Sequence, residues 1–62
     1  MSLLVLLRDS LLCRVDGRRE FRPYAGAQAD FWKTVERFDT LRGASLAAGM
    51  CGGKPVPEDK LP

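Results

Sequence analysis

"RVDGRREFR", residues 14–22, sets Asp16-Gly17 between an apolar run ending at Val15 and a second run that contains Phe21. Asp-Gly suits the two positive-φ positions of a tight two-residue turn, so the stretch predicts a β-hairpin. Two registers compete for it. A two-residue loop of Asp16 and Gly17 sets Val15 opposite Arg18 and Cys13 opposite Glu20, and neither face is then uniformly apolar. A loop of residues 16–18 sets Cys13 opposite Phe21 and Arg14 opposite Glu20. It gathers Leu11, Cys13, Val15 and Phe21 on one face but puts Gly17 in mid-loop. Turn chemistry favours the first register and burial the second.

Working upstream, "SLLVLLR" and "LLCRV" read as two further strands, separated by Asp9-Ser10. Leucine favours helices, and Leu3, Leu7 and Leu11 stand four apart, so residues 2–14 also admit a helix and the whole chain an all-α helical hairpin. Strands are preferred, because Val5 and Leu6 fall off that helical stripe and "REFRPY" is readily satisfied as a returning strand.

Downstream, residues 28–43 predict one amphipathic helix. At about 100° per residue, Phe31, Val35 and Phe38 share a sector with Leu41 at its margin, while Lys33, Glu36, Arg37 and Thr40 lie opposite. Asp30 offers a cap and complements the helix dipole, Arg37 and Arg42 sit late, and Gly43 marks the stop. "ASLAAGM" then forms a second short helical turn. "CGGKPVPEDKLP", residues 51–62, holds two glycines and three prolines and reads as an extended tail. The expected architecture is α+β: a small antiparallel hairpin or three-stranded meander packed on one amphipathic helix. Residues 1–50 form a single mini-domain and residues 51–62 a Gly/Pro-rich extension.

A chain of 62 residues hides only about 60% of the surface its unfolded form exposes. Its core is small, and a partner or a second copy is a plausible means of completing it. The opening apolar run ends at Leu7 with Arg8 and Asp9, short of the ~7–15 residues of an export signal. "SLLC" departs from a lipoprotein cleavage box at Leu12. A soluble cytoplasmic protein is expected, with Cys13 and Cys51 as small core residues rather than a disulfide framework.

The inventory argues against an enzyme. Histidine is absent, and two cysteines 38 positions apart match no metal or redox spacing. Glu20, Glu36, Asp30 and Asp39 could pair as acid and base only in a pocket that so small a domain has little room to build. "AGMCGGKP", residues 48–55, has a Gly-Lys pair as in a phosphate-binding loop. Ala48 replaces the first glycine, Pro55 replaces the hydroxyl residue, and the flanking strand and helix are missing. No cofactor or metal is expected.

Partner binding is left. Arg14, Arg18, Arg19 and Arg22 against Asp16 and Glu20 carry the chain's whole formal charge of +2, the remaining charges cancelling. A basic ribbon can grip phosphates, but this excess is modest for a nucleic-acid binder. Paired with Glu20, the arginines also suit a solvated hairpin. Trp32 lies at the edge of the predicted apolar sector, where it either closes the core or anchors a partner, and Tyr24 and Arg22 extend the same patch. The sequence therefore predicts a non-enzymatic protein-binding mini-domain using Trp32, Tyr24, Arg22, Arg18, Arg19 and Arg14. It would dock on a larger protein or complex and modulate or inhibit it, as a phage-type inhibitor of a host complex does. The alternatives are a minor subunit of a multiprotein assembly and a nucleic-acid-binding hairpin. Self-association fits the same inventory; a membrane partner does not.

Overall fold

A computed structural model describes residues 2–62. Three strands, β1 (Leu3–Leu7), β2 (Ser10–Val15) and β3 (Arg18–Pro23), form the expected meander. A fourth, β4 (Lys54–Pro57), joins it from the far end of the chain, giving an antiparallel sheet in the order β3-β2-β1-β4. The helices are α1 (Ala29–Thr34) and α2 (Leu41–Cys51), and a 3₁₀ turn, Glu58–Lys60, follows β4. The fold is α+β, and the all-α alternative is not favoured.

Turn chemistry decides the hairpin register. Asp16 and Gly17 both have positive φ, 53° and 76°, and Val15 pairs with Arg18, Cys13 with Glu20 and Leu12 with Phe21. The mixed faces that count against this register are harmless because β3 is an edge strand, and Glu20 stays exposed there.

The central strands are buried on both faces. Leu4, Val5 and Leu6 are consecutive and buried, as are Leu11, Leu12 and Cys13. Successive side chains point to opposite faces, so two cores result. Leu4, Leu6, Leu11, Cys13 and Val35 form one, flanked by Phe31 and Trp32 of α1 and by Leu61. Val5, Leu12, Ala47 and Ala48 form the other, under α2. The leucine-rich opening is thus a strand pair covered twice, which explains its lack of alternation.

The single helix expected over residues 28–43 is not formed. α1 stops after six residues, where the Thr34 hydroxyl donates to the Phe31 carbonyl at 2.6 Å and Val35 turns extended (φ −66°, ψ 131°). Its N-cap is Gln28, with Asp30 in the first turn. β1 and β2 pair next to their shared turn, Leu6 with Leu11 and Leu7 with Ser10, and farther out they diverge. Residues 35–38 fill the gap: Val35 bridges to Cys13 and Phe38 to Leu3. The Glu36 N–H donates to Leu12 O at 3.0 Å, and Leu3 and Phe38 exchange two bonds of 2.9 Å. The chain so passes from one side of the sheet to the other, with Val35 entering one core and Phe38 the other. A continuous helix would have held both on a single face.

The long helix is instead α2, and Gly43 lies inside it. Thr40 caps α2 by accepting from the Gly43 N–H at 3.1 Å, and Gly52, with φ of 87°, ends it in the left-handed conformation. Ala44, Ala47 and Ala48 face the sheet at i, i+3 and i+4, and such small residues let the helix lie close. Gly53 then leads directly into β4, so Gly52 and Gly53 close a helix and open a strand, while Gly49 lies inside α2.

The C-terminal stretch is not a loose extended tail: Cys51 ends α2, Lys54–Pro57 form an edge strand, and Glu58–Lys60 form a 3₁₀ turn. Lys54 and Val56 pair with Leu6 and Leu4, and the Glu58 N–H donates to Ser2 O at 3.0 Å. Arg37 grips Glu58 with two hydrogen bonds, 3.0 Å from Nε and 3.2 Å from Nη2, and also donates to the Trp32 carbonyl at 3.0 Å. The Arg37 hydrogen bonds hold the Glu58 carboxyl below the usual glutamate range, partly opposed by desolvation. With the folded pKa depressed, this pair's contribution is full above the ordinary glutamate pKa and is lost as pH falls through the folded value. A carboxyl-carbon NMR titration should place the Glu58 midpoint below that of a free glutamate, and Arg37→Ala should return it to the ordinary range. An identical midpoint in the variant would contradict the pairing.

Both cysteines are free: Cys13 is buried, its thiol donating to Leu11 O at 3.4 Å, and Cys51 is half-buried. Among the described residues, no helix is long and apolar enough to cross a membrane.

Candidate docking site

The hairpin separates its four arginines. Cross-strand partners share a face, so Arg14 and Arg19, which pair, lie on the α2 side of the sheet with Leu12 and Phe21. Arg18, opposite Val15, and Arg22, opposite Leu11, lie on the α1 side, with Glu20 between them.

Glu36, carried through the sheet by residues 35–38, gathers the first pair. Arg19 donates to it from Nε at 3.0 Å and from Nη2 at 2.7 Å, and Arg14 approaches within 3.6 Å. The forked hydrogen bond to Glu36 raises the Arg19 pKa further above its already high value, so this guanidinium stays charged. Arg18 and Arg22 remain exposed beside Glu20. The four expected site arginines therefore form two separate pairs instead of one basic ribbon.

The aromatic candidates cluster on the α1 side. Trp32 stands edge-on to Phe31, with ring centroids 5.2 Å apart at 89°, and to Tyr24, at 6.2 Å and 67°. Tyr24 and Trp32 are half-buried against the Leu4–Leu11 core, and the Tyr24 hydroxyl donates to the Pro62 carbonyl at 3.4 Å. Trp32 closes that core. Of the six candidates, the structure brings together Trp32 and Tyr24 in contact, with Arg22 and Arg18 on the same side of the sheet. Arg14 and Arg19 are on the other side.

The two sheet edges differ in chemistry, a contrast that side-chain patterns do not reveal. In β3 the Tyr24 N–H donates to Asp9 O, which fixes the phase of the ladder: residues 18, 20, 22 and 24 bond inward to β2. The N–H and C=O of Arg19 and Phe21, and the C=O of Pro23, consequently point outward along an exposed edge. In β4 the Glu58 N–H to Ser2 O bond sets the opposite case. Lys54 and Val56 bond inward, and Pro55 and Pro57 occupy the outward positions, where they offer no N–H. One edge can pair with another strand and the other is blocked by proline.

A second feature that sequence reasoning missed is the outer face of α2, where Leu46 and Met50 are 64% and 83% exposed, with Leu41 at 62% near its start. The helix boundaries expected from the sequence hide it, since they divide residues 41–51 among a helix ending at Gly43, a short turn over 44–50 and the tail. Among the described residues there is no pocket and no cluster of three or more metal-ligating side chains. Comparison with known proteins adds no relative to this geometry: neither a family model, nor a curated protein, nor a solved structure matches the chain.

Proposed function

We propose that this chain is a non-enzymatic protein-binding domain that docks on a larger protein or complex by strand addition at the β3 edge, and so modulates or inhibits it. The observation that carries this reading is the contrast between edges: Arg19 and Phe21 present free main-chain donors and acceptors, whereas Pro55 and Pro57 seal β4. Main-chain pairing supplies affinity without a pocket. Arg18, Glu20 and Arg22 on one face and Phe21 on the other supply the side-chain selection. A minor subunit of an assembly would use the same edge. The nucleic-acid alternative draws less support, because alternation splits the arginines and Glu36 neutralises part of one pair.

Panning a display library of random ten-residue peptides tests the reading, with amide exchange followed residue by residue in the dilute protein. Selected peptides should slow exchange at Arg19 and Phe21 while leaving Glu20 and Arg22, already bonded to β2, little changed. Peptides that bind without protecting Arg19 and Phe21, or a library that yields none, would overturn strand addition at this edge.

A further inference from the structure

We propose that, in the isolated protein, the β3 edge pairs with β3 of a second copy, making a twofold dimer with one continuous eight-stranded sheet. This rests on the reading of β3 as a pairing edge and names its first occupant, which a larger partner would have to displace. The argument is one of register. An antiparallel pair of identical strands is symmetric about one residue, and each choice of centre fixes every opposing pair.

A centre on Glu20 places it against the partner's Glu20 and each Arg18 against the partner's Arg22, so every charged pair is repulsive. A centre on Arg19 opposes two arginines at the axis, and a centre on Arg22 does the same. A centre on Arg18 again opposes two arginines, and a centre on Pro23 sets two residues without an N–H against each other at the axis and leaves no attractive charge pair. The centre on Phe21 avoids like charges and keeps the central main-chain donors: Phe21 meets the partner's Phe21, each Glu20 meets the partner's Arg22, and each Arg19 lies against the partner's Pro23. Opposite charges and aromatic pairs directly across a ladder stabilise it, and like charges destabilise it.

The main chain agrees with the same centre. Phe21 has its N–H and C=O outward, so the two central residues exchange two hydrogen bonds. The outward N–H of each Arg19 reaches the carbonyl of the partner's Pro23, and the proline's missing N–H falls at the end of the ladder, where its loss matters least. Phe21 is half-buried in the single chain, packed against the Val5–Leu12 core, and the partner's Phe21 extends that cover. Arg19 stays tied to Glu36 on its own chain and needs no new counter-charge. The proline-sealed β4 edge ends the sheet on both outer sides, so the assembly closes at two copies instead of growing into a fibre.

A charge-exchange set tests the pairing. Sedimentation equilibrium across a concentration series gives the dimer dissociation constant for the native chain, Glu20→Arg, Arg22→Glu and the double variant E20R/R22E. Each single change should weaken the dimer about tenfold, since two attractive cross-strand pairs become repulsive. The double variant should recover native affinity, because it exchanges the charges without altering their complementarity. Both residues are exposed, and melting curves at monomeric concentration separate folding from association. Amide exchange at Arg19 and Phe21 should slow as the dimer forms.

A native chain that stays monomeric up to millimolar concentration would overturn self-pairing, as would a dimer insensitive to the single changes. A dimer whose Arg19 and Phe21 amides remain unprotected would do the same, pointing to the Leu46 and Met50 face. The peptide experiment is read on the monomer, so the failure of self-pairing is distinguishable from failure of the edge itself.

Discussion

Leu11→Ala and Leu12→Ala, made separately, are each expected to destabilise the protein by about 2–5 kcal/mol, the usual cost of emptying a buried leucine site. The two residues are neighbours in β2, with exposures of 0% and 1%, and they point into different cores. In a sheet covered on one face only, one of the pair would be a tolerant surface position. A chain of this length has a total stability of roughly 3–9 kcal/mol by the per-residue scale. Either truncation should therefore leave a large unfolded fraction at 25 °C, visible in urea titrations followed by Trp32 fluorescence or circular dichroism. A variant at either position that melts like the native chain would refute two-sided burial.

Gly53→Ala should be nearly as damaging, for the opposite reason. A methyl group built on Gly53 falls 2.7 Å from Val5 Cγ1 and 2.8 Å from the Leu6 carbonyl oxygen, closer than real contacts allow. The Leu6 oxygen belongs to the backbone of a central strand and cannot swing away. Relief requires β4 or the end of α2 to move off β1, at a cost of about 1–3 kcal/mol by comparison with other overpacked sites. Gly49→Ala is the control: it lies in the same segment and has nothing within 4 Å of the added methyl. It should keep or slightly raise stability, since alanine favours helix. Equal melting temperatures for the two variants would show that β4 is not held against β1 as described.

These two results address the parts of the fold that were least legible in the sequence. The meander was readable, because Asp16-Gly17 satisfies a tight turn almost alone and, in the leucine-rich run before it, Val5 and Leu6 fall off any single helical stripe. The docking edge was readable only as a hairpin rich in arginine. Which arginines share a face depends on register, and which main-chain groups point outward depends on the hydrogen-bond phase. Both follow from the turn once its length is known. The opposing burial argument leaves that length open, because it assumes that Phe21 shares a core with Cys13, whereas Phe21 packs with Leu12 on the other face.

Residues 28–43 misled for a related reason. Phe31, Val35 and Phe38 do have helical spacing, but spacing records which residues are apolar without saying that they face the same core. With two cores separated by a sheet, Val35 and Phe38 serve different sides, and the chain must run extended between them. The helix that does form over residues 41–51 has weak sequence marks, since two glycines lie within it and its buried face is alanine. Its position follows from close approach to the sheet, which favours small side chains.

The sequence by itself determined the hairpin turn, the strands of the meander and the α+β class. These follow from local backbone preference and composition, which act within a few residues. The tertiary structure alone decided that β1 and β2 part to admit residues 35–38, that the last twelve residues supply an edge strand, and that proline blocks one edge while the other stays open. Those features depend on pairings between distant segments, such as Leu4 with Val56 and Leu3 with Phe38. A backbone hydrogen bond requires almost no particular side chain at either end, so such pairings leave little trace in the order of the amino acids.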